Sequence, residues 1–206
     1  LAAELEFTAR QAGHQGFVRM RGFNNELFYG HVFSGTDSAV PTYSDTPLGG
    51  VGLNPCFPQG ASYKKIRRHE PITVDFSGIF DGYIVDQTRM FSIGELPELL
   101  SKAYHDMLAI QEHAKQVAKP GVSWGGLYDE CLQMACDLGY RDHFMGAKGA
   151  QVSFIGHGTG VELDEYPFIA RGFNDDLLQP NMVFAFEPKA VYPGLGAVGV
   201  ENTFRV

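Results

Sequence analysis

Two strand-forming runs, Pro71 to Phe80 and Tyr83 to Phe91, stand on either side of Asp81-Gly82. A pair of this type between β-branched and aromatic runs marks a tight hairpin, because both residues tolerate the positive φ its turn demands. The hairpin fixes an antiparallel pair in mid-chain. It also lays Asp75 and Asp86 on neighbouring arms, where they can project toward one point. A carboxylate in an apolar strand needs compensation. Read as a pair, these two favour a cation.

The chain around this hairpin follows a definite order. Leu1 to Ala12 reads as the end of an amphipathic helix stopped by Gly13. Gly16 to Ser34 reads as two strands around Gly22-Phe23-Asn24-Asn25, and Gly35 to Ser62 as a long loop rich in Gly, Pro, Ser and Asp. Pro97 to Ala118 has helical periodicity, with Leu99, Leu100, Ala103, Met107 and Ile110 on one face and Pro120-Gly121 as the stop. Ser123 is placed to cap a second helix running through Leu127, Cys131, Met134 and Ala135 to Gly139. Gly149 to Val206 is strand-like again. Strands, then helices, then strands predict an α+β domain rather than a βαβ repeat.

Composition narrows the function. The formal charge of −8 argues against nucleic acid, whose phosphates need clustered Lys and Arg. The densest basic stretch, Lys64 to Arg68, reads as a solvated turn. No apolar run approaches a membrane span, and no signal peptide is visible. The cysteines, Cys56, Cys131 and Cys136, have no metal-type spacing. Cys131 and Cys136 fall among apolar helix neighbours as reduced core residues, and the odd count points to a reducing, cytoplasmic compartment. The first residue is Leu1, so the chain is expected to be part of a longer protein.

Three further segments carry chemistry. In Phe154-Ile155-Gly156-His157-Gly158-Thr159-Gly160, a His sits between glycines, which would let a ligand approach closely. Glu187 ends the apolar run Val183-Phe184-Ala185-Phe186 just before Pro188, and Glu201 lies in Gly199-Val200-Glu201-Asn202-Thr203-Phe204. Four carboxylates in apolar strands cannot all be buried and ionised without strong positive charge nearby. Arg89 and Lys189 are candidate buried cations, but metal ions meet the need more fully. Oxygen-rich ligands with one imidazole suit Mn, Co or Fe at least as well as Zn.

In this order the motifs become specific: Asp75, then Asp86 within Asp-x-Thr-Arg, then Gly-His-Gly-x-Gly, then Glu187-Pro188, then Glu201 near the end. The pattern resembles the pita-bread metallopeptidase family, which includes methionine aminopeptidase, Xaa-Pro aminopeptidase, prolidase and the metal-free creatinase. It is most similar to bacterial Xaa-Pro peptidase-like proteins, over essentially the whole chain. The resemblance implies a curved antiparallel sheet covered by helices, forming a single catalytic domain over residues 1–206 that follows a separate N-terminal domain. It implies two divalent metal ions, with Asp75 on one, His157 and Glu187 on the other, and Asp86 and Glu201 bridging. Glu187 takes the family's proton-shuttle position, a homodimer is expected, and the substrate is expected to be a small peptide or amide. A lyase step on the same centre and a non-catalytic binding module are the alternatives.

The substrate shell departs from the family. Where its peptidases carry a histidine after a proline, this chain has Thr42 or Gln59, and His31 is the residue that could enter from a neighbouring strand. Where they read His-Glu-x-Pro, this chain reads Asp164-Glu165-Tyr166-Pro167. Gly199 stands where proline-specific members often carry Arg, and Asn202 replaces the usual Asp after the last ligand. Asp164, His31, Gln59 and Tyr83 are therefore the expected substrate-binding residues, and Asp164 is expected to favour a cationic group such as a free amine.

Overall fold

The computed structural model describes residues 1–22, 27 and 29–206. Helix α1 (Ala2–Gln11) opens the chain, and strand β1 (Gly30–Ser34) follows. Of the two strands expected over Gly16 to Ser34, the described residues show this one plus isolated bridges, Val18 with Leu27 and Met20 with Leu163. Apart from Gly22, the turn expected at Gly22-Phe23-Asn24-Asn25 lies outside the described residues. The long loop holds a 3-10 turn over Gly35–Ala39 and is drawn together by a bridge between Gly50 and Gly60.

The hairpin forms as expected. Strands β2 (Ile72–Phe80) and β3 (Tyr83–Phe91) flank Asp81 and Gly82, whose φ values of 52° and 82° give the doubly left-handed turn that matches strand twist. The sheet order is β1-β2-β3, all antiparallel. Asp75 lies opposite Thr88, Ser77 opposite Asp86, and His31 of β1 opposite Asp75. Side chains alternate along a strand, so these five share one face.

Helix α2 (Glu98–Val117) buries Leu100, Ala103, Met107, Ile110 and Ala114, one continuous stripe at alternating three- and four-residue steps. Leu99 was expected on that face but is 49% exposed, because one residue of helical rotation carries it off the stripe. Helix α3 (Trp124–Asp137) is capped by Ser123, whose hydroxyl accepts from the Gly126 N–H at 3.1 Å. Cys131 is fully buried and its thiol is pushed up to about 12, first by burial and then by Glu130, while Cys136 is only half-buried.

Strands β4 (Phe154–Thr159), β5 (Leu163–Ala170), β6 (Val183–Phe186), β7 (Lys189–Tyr192), β8 (Gly196–Gly199) and β9 (Asn202–Arg205) complete the domain. A second antiparallel sheet has the order β5-β4-β6-β9, and β7-β8 is a separate hairpin. The sheets meet where Thr88 and Glu201 exchange backbone hydrogen bonds, both 3.3 Å. The main core lies between α2, α3 and the second sheet, with Met107, Ile110, Leu127, Ile155, Phe184 and Phe186 buried in it. Each such side chain contributes about 1.5–3 kcal/mol on burial. Alternation along β6 sends Phe184 and Phe186 into this core, so Glu187, one residue on, faces the other way. Strands, helices and strands in this order make an α+β domain. Among the described residues no helix is long and apolar enough to cross a membrane.

Candidate metal centre

One pocket is lined by Asp75, Asp86, His157, Glu187 and Glu201, drawn from both sheets. Asp75 and Asp86 stand on the shared face of β2 and β3. His157 comes from β4, where it lies opposite Ala185 of β6. Glu187 leaves the end of β6 with its N–H bonded to the Ile155 carbonyl at 2.9 Å. Glu201 precedes β9, and Gln111 of α2 steadies both acidic turns. Its amide donates to the Phe186 carbonyl at 3.0 Å and its oxygen accepts from Asn202 at 2.6 Å.

The ligand atoms divide between two poles. At one pole is the Lys189 ammonium, 1% exposed, with Glu187 Oε2 at 2.6 Å, Asp75 Oδ2 at 3.1 Å and Glu201 Oε2 at 3.3 Å. At the other is His157 Nε2, facing Glu187 Oε1 and Glu201 Oε1 at 3.7 Å each and Asp86 Oδ2 at 4.0 Å. Glu187 and Glu201 thus turn one oxygen to each pole. Thr88 donates to Glu201 Oε2 at 2.8 Å, while Ser77 and the Gln87 N–H donate to Asp86 Oδ1 at 3.1 and 3.0 Å.

At the histidine pole, burial opposes charge on His157, but Glu201, Asp164 and Glu187 outweigh it and hold its pKa well above the ordinary value, the response of a ring set among carboxylates. Burial, then Glu201 and Asp75, raise the Asp86 carboxyl well above its usual range. Burial also pushes Glu187 up to about 8 against the pull of Lys189. Burial opposes charge on Lys189, but Asp75, Glu187 and Glu201 outweigh it and hold its pKa well above normal, so this lysine is an ammonium. Arg89, the other cation candidate, reaches the Glu201 carbonyl at 2.7 Å and Asn202 Oδ1 at 2.8 Å, so it clamps β3 to β9 and neutralises none of the four carboxylates.

A divalent ion fits the histidine pole. Asp86, His157 and Glu201 each offer one atom, all within 4.8 Å of one another. Tetrahedral ligands at ordinary zinc distances stand about 3.3–3.4 Å apart, whereas His157 Nε2 lies 3.7 Å from Glu201 Oε1 and 4.0 Å from Asp86 Oδ2, so the three groups would draw inward around an ion. Glu201 Oε1 is buried with no hydrogen-bond partner among the described residues, as an atom reserved for a cation would be. His157 Nδ1 lies 3.2 Å from the Gly158 carbonyl, an arrangement that places the proton on Nδ1 and frees Nε2 for a metal.

Of the expected substrate residues, His31, Gln59 and Asp164 line this pocket. Gln59 accepts from Ser44 at 2.9 Å, so its amide donates to His31 Nε2 at 2.6 Å. Burial, then the charge on Lys189, lowers His31 to about 4, which leaves it a neutral ring near pH 7. Asp164 holds a left-handed φ of 62° and points Oδ1 at His157 Nδ1 from 3.5 Å. Tyr83 is not brought to the site. It pairs with Phe80 at the turn end of the hairpin, 68% exposed. Thr42 bonds the Pro58 carbonyl at 3.0 Å and is also not in the lining.

Sequence reasoning missed Ser77 and Thr88, although each lies two residues from an Asp on its strand and hence on the same face. It named Lys189 only as a buried cation, without its place among the ligands. The glycines flanking His157 also have a different reason. A Cβ on Gly156 would lie 2.4 Å from the Ala185 carbonyl oxygen, and one on Gly158 would lie 2.2 Å from that of Tyr166. The close approach there is by neighbouring backbone, not by a ligand.

Comparison with known proteins agrees with this architecture. The profile of metallopeptidase family M24 matches residues 1–206. The Xaa-Pro dipeptidase of Pyrococcus furiosus is 31% identical over 189 residues, covering 92% of this chain and 47% of that protein. The Xaa-Pro dipeptidase of Lactobacillus delbrueckii subsp. lactis is 31% identical over 153 residues, covering 74% of this chain and 39% of its own length. The X-Pro aminopeptidase structure from Thermotoga maritima superposes with a TM-score of 0.77 at 29% identity, covering 100% of this chain and 49% of that one. The chain spans less than half the length of each of these relatives. The fold is the pita-bread fold, and the chain belongs to metallopeptidase family M24.

Proposed function

We propose that this chain is the catalytic portion of a metal-dependent peptidase that hydrolyses a dipeptide or a similarly small amide. The observation that carries the reading is the orphaned, buried Glu201 Oε1 beside His157 Nε2 and Asp86 Oδ2, a cation-shaped gap at the base of a pocket. Relatives named Xaa-Pro dipeptidase support the substrate class. A divalent ion bound there supplies Lewis-acid polarisation of a carbonyl and lowers the pKa of a water. The protein's own groups do the rest. Glu187, whose Oε1 turns toward this site, is placed to take a proton from the attacking water and return it to the leaving amine. His31, held neutral by burial, acts as a hydrogen-bonding wall rather than a charged clamp. Asp164, in the same lining, offers a carboxyl group suited to the free amino group of a substrate.

The test is a panel of Xaa-Pro and other dipeptides, assayed after chelation and after separate addition of Mn and Co. Hydrolysis should appear only with metal and vanish in His157→Ala. A metal-loaded protein that cleaves no member of the panel would contradict the proposal.

A further inference from the structure

We propose that Lys189 is a built-in cation occupying one half of this centre, so that the protein binds a single divalent ion, at Asp86, His157 and Glu201. This rests on the reading that the cluster binds metal at all. It departs from the two-ion count that the family resemblance implies. The division of oxygens carries the argument. Glu187 and Glu201 each give one oxygen to Lys189 Nζ and turn the other toward His157, the arrangement of carboxylates that bridge two cations. Asp75 gives its Oδ2 to the ammonium at 3.1 Å. A second metal ion would need these same oxygens and would sit against a fixed positive charge.

The lysine has a prepared place. In the β7-β8 hairpin Lys189 lies opposite Gly199, and a Cβ on Gly199 would come within 2.7 Å of Lys189 Cγ. The same Cβ would lie 2.5 Å from the Pro188 carbonyl oxygen, so glycine lets the strand carrying Lys189 pack this closely against β8. Gly199, which departs from the family pattern, thus faces Lys189 across this hairpin. A lysine that is 1% exposed with three carboxylate partners is also costly to remove, because its loss leaves uncompensated buried charge.

The experiment is calorimetric titration of the chelator-treated chain with Mn, checked by elemental analysis after desalting. One ion per chain supports the proposal. Two ions per chain overturn it while leaving the metal reading intact. No binding of Mn, Co or Zn overturns both. Two variants extend the test. Lys189→Gly should bind two ions, and a folded variant that still binds one counts against the proposal. Asp75→Asn should keep one ion with affinity within about threefold of the parent, whereas Asp86→Asn should lose about 100-fold or more. Loss of an ion from Asp75→Asn equal to that from Asp86→Asn would overturn the assignment independently of how Lys189→Gly folds.

Discussion

Replacing Gln111 by Met tests how the helical layer holds the acidic turns. Gln111 is 6% exposed, and its side chain joins the Phe186 carbonyl, just before Glu187, to Asn202, just after Glu201. Methionine keeps the length and volume of glutamine, so the cavity term is small. Two neutral hydrogen bonds go, at about 0.5–1.5 kcal/mol each, and a partner left unsatisfied in the interior adds about 1–3 kcal/mol. The expected destabilisation is therefore roughly 2–6 kcal/mol, or a fall in Tm of roughly 4–24 °C for a chain of this size. The two carboxylates lose a common anchor at the same time, so metal affinity should fall about 10-fold or more. Differential scanning calorimetry of the apo chain reads the first effect, and metal titration reads the second. A Tm within about 1 °C of the parent would refute the hydrogen-bond argument. A lower Tm with unchanged metal affinity would show that Gln111 supports the fold without positioning the site.

Three other predictions follow from individual groups. His31 has a folded pKa near 4 against an ordinary 6.5, so the unfolded chain binds the extra proton between those values. Stability from this residue is complete above pH 6.5 and is lost as pH falls toward 4, by on the order of 2–3 kcal/mol. Denaturant unfolding at pH 7 and pH 4.5 should show a smaller loss for His31→Gln than for the parent, and equal losses would contradict the assignment. Asp164→Asn should raise KM for dipeptides with a free amine by about 10-fold and leave N-acetylated substrates unaffected; an unchanged KM for the free amines would remove the amine-binding role. Ser123→Ala removes the one side-chain cap of α3 and should cost about 1 kcal/mol in chemical denaturation, and no change would mean that the cap bond is not maintained.

Much of this architecture was legible in the residues because it is local. Asp81-Gly82 specifies its turn by backbone conformation alone, and once the turn is set, Asp75 and Asp86 must share a face. The α2 stripe and the Ser123 cap are likewise properties of short windows. The expectations that failed depended on distant partners. Val18 and Met20 have strand-like neighbours, but among the described residues their pairing is with Leu27 and Leu163, the second of them more than a hundred residues away. Tyr83 belongs to the right hairpin but to its turn end, three residues from Asp86 and so on the opposite face of the strand. The spacing of Lys189 and Gly199 in the sequence says nothing of their close packing across a hairpin or of the three carboxylates the lysine reaches.

The most direct test of the account is where a metal goes. A crystal of the protein equilibrated with Zn, measured on both sides of the absorption edge, should show one anomalous peak about 2.0–2.2 Å from Asp86 Oδ2, His157 Nε2 and Glu201 Oε1. Lys189 Nζ should remain on Asp75 and Glu187. An anomalous peak elsewhere, or none at saturating Zn, would contradict the claim that these buried groups form a cation site.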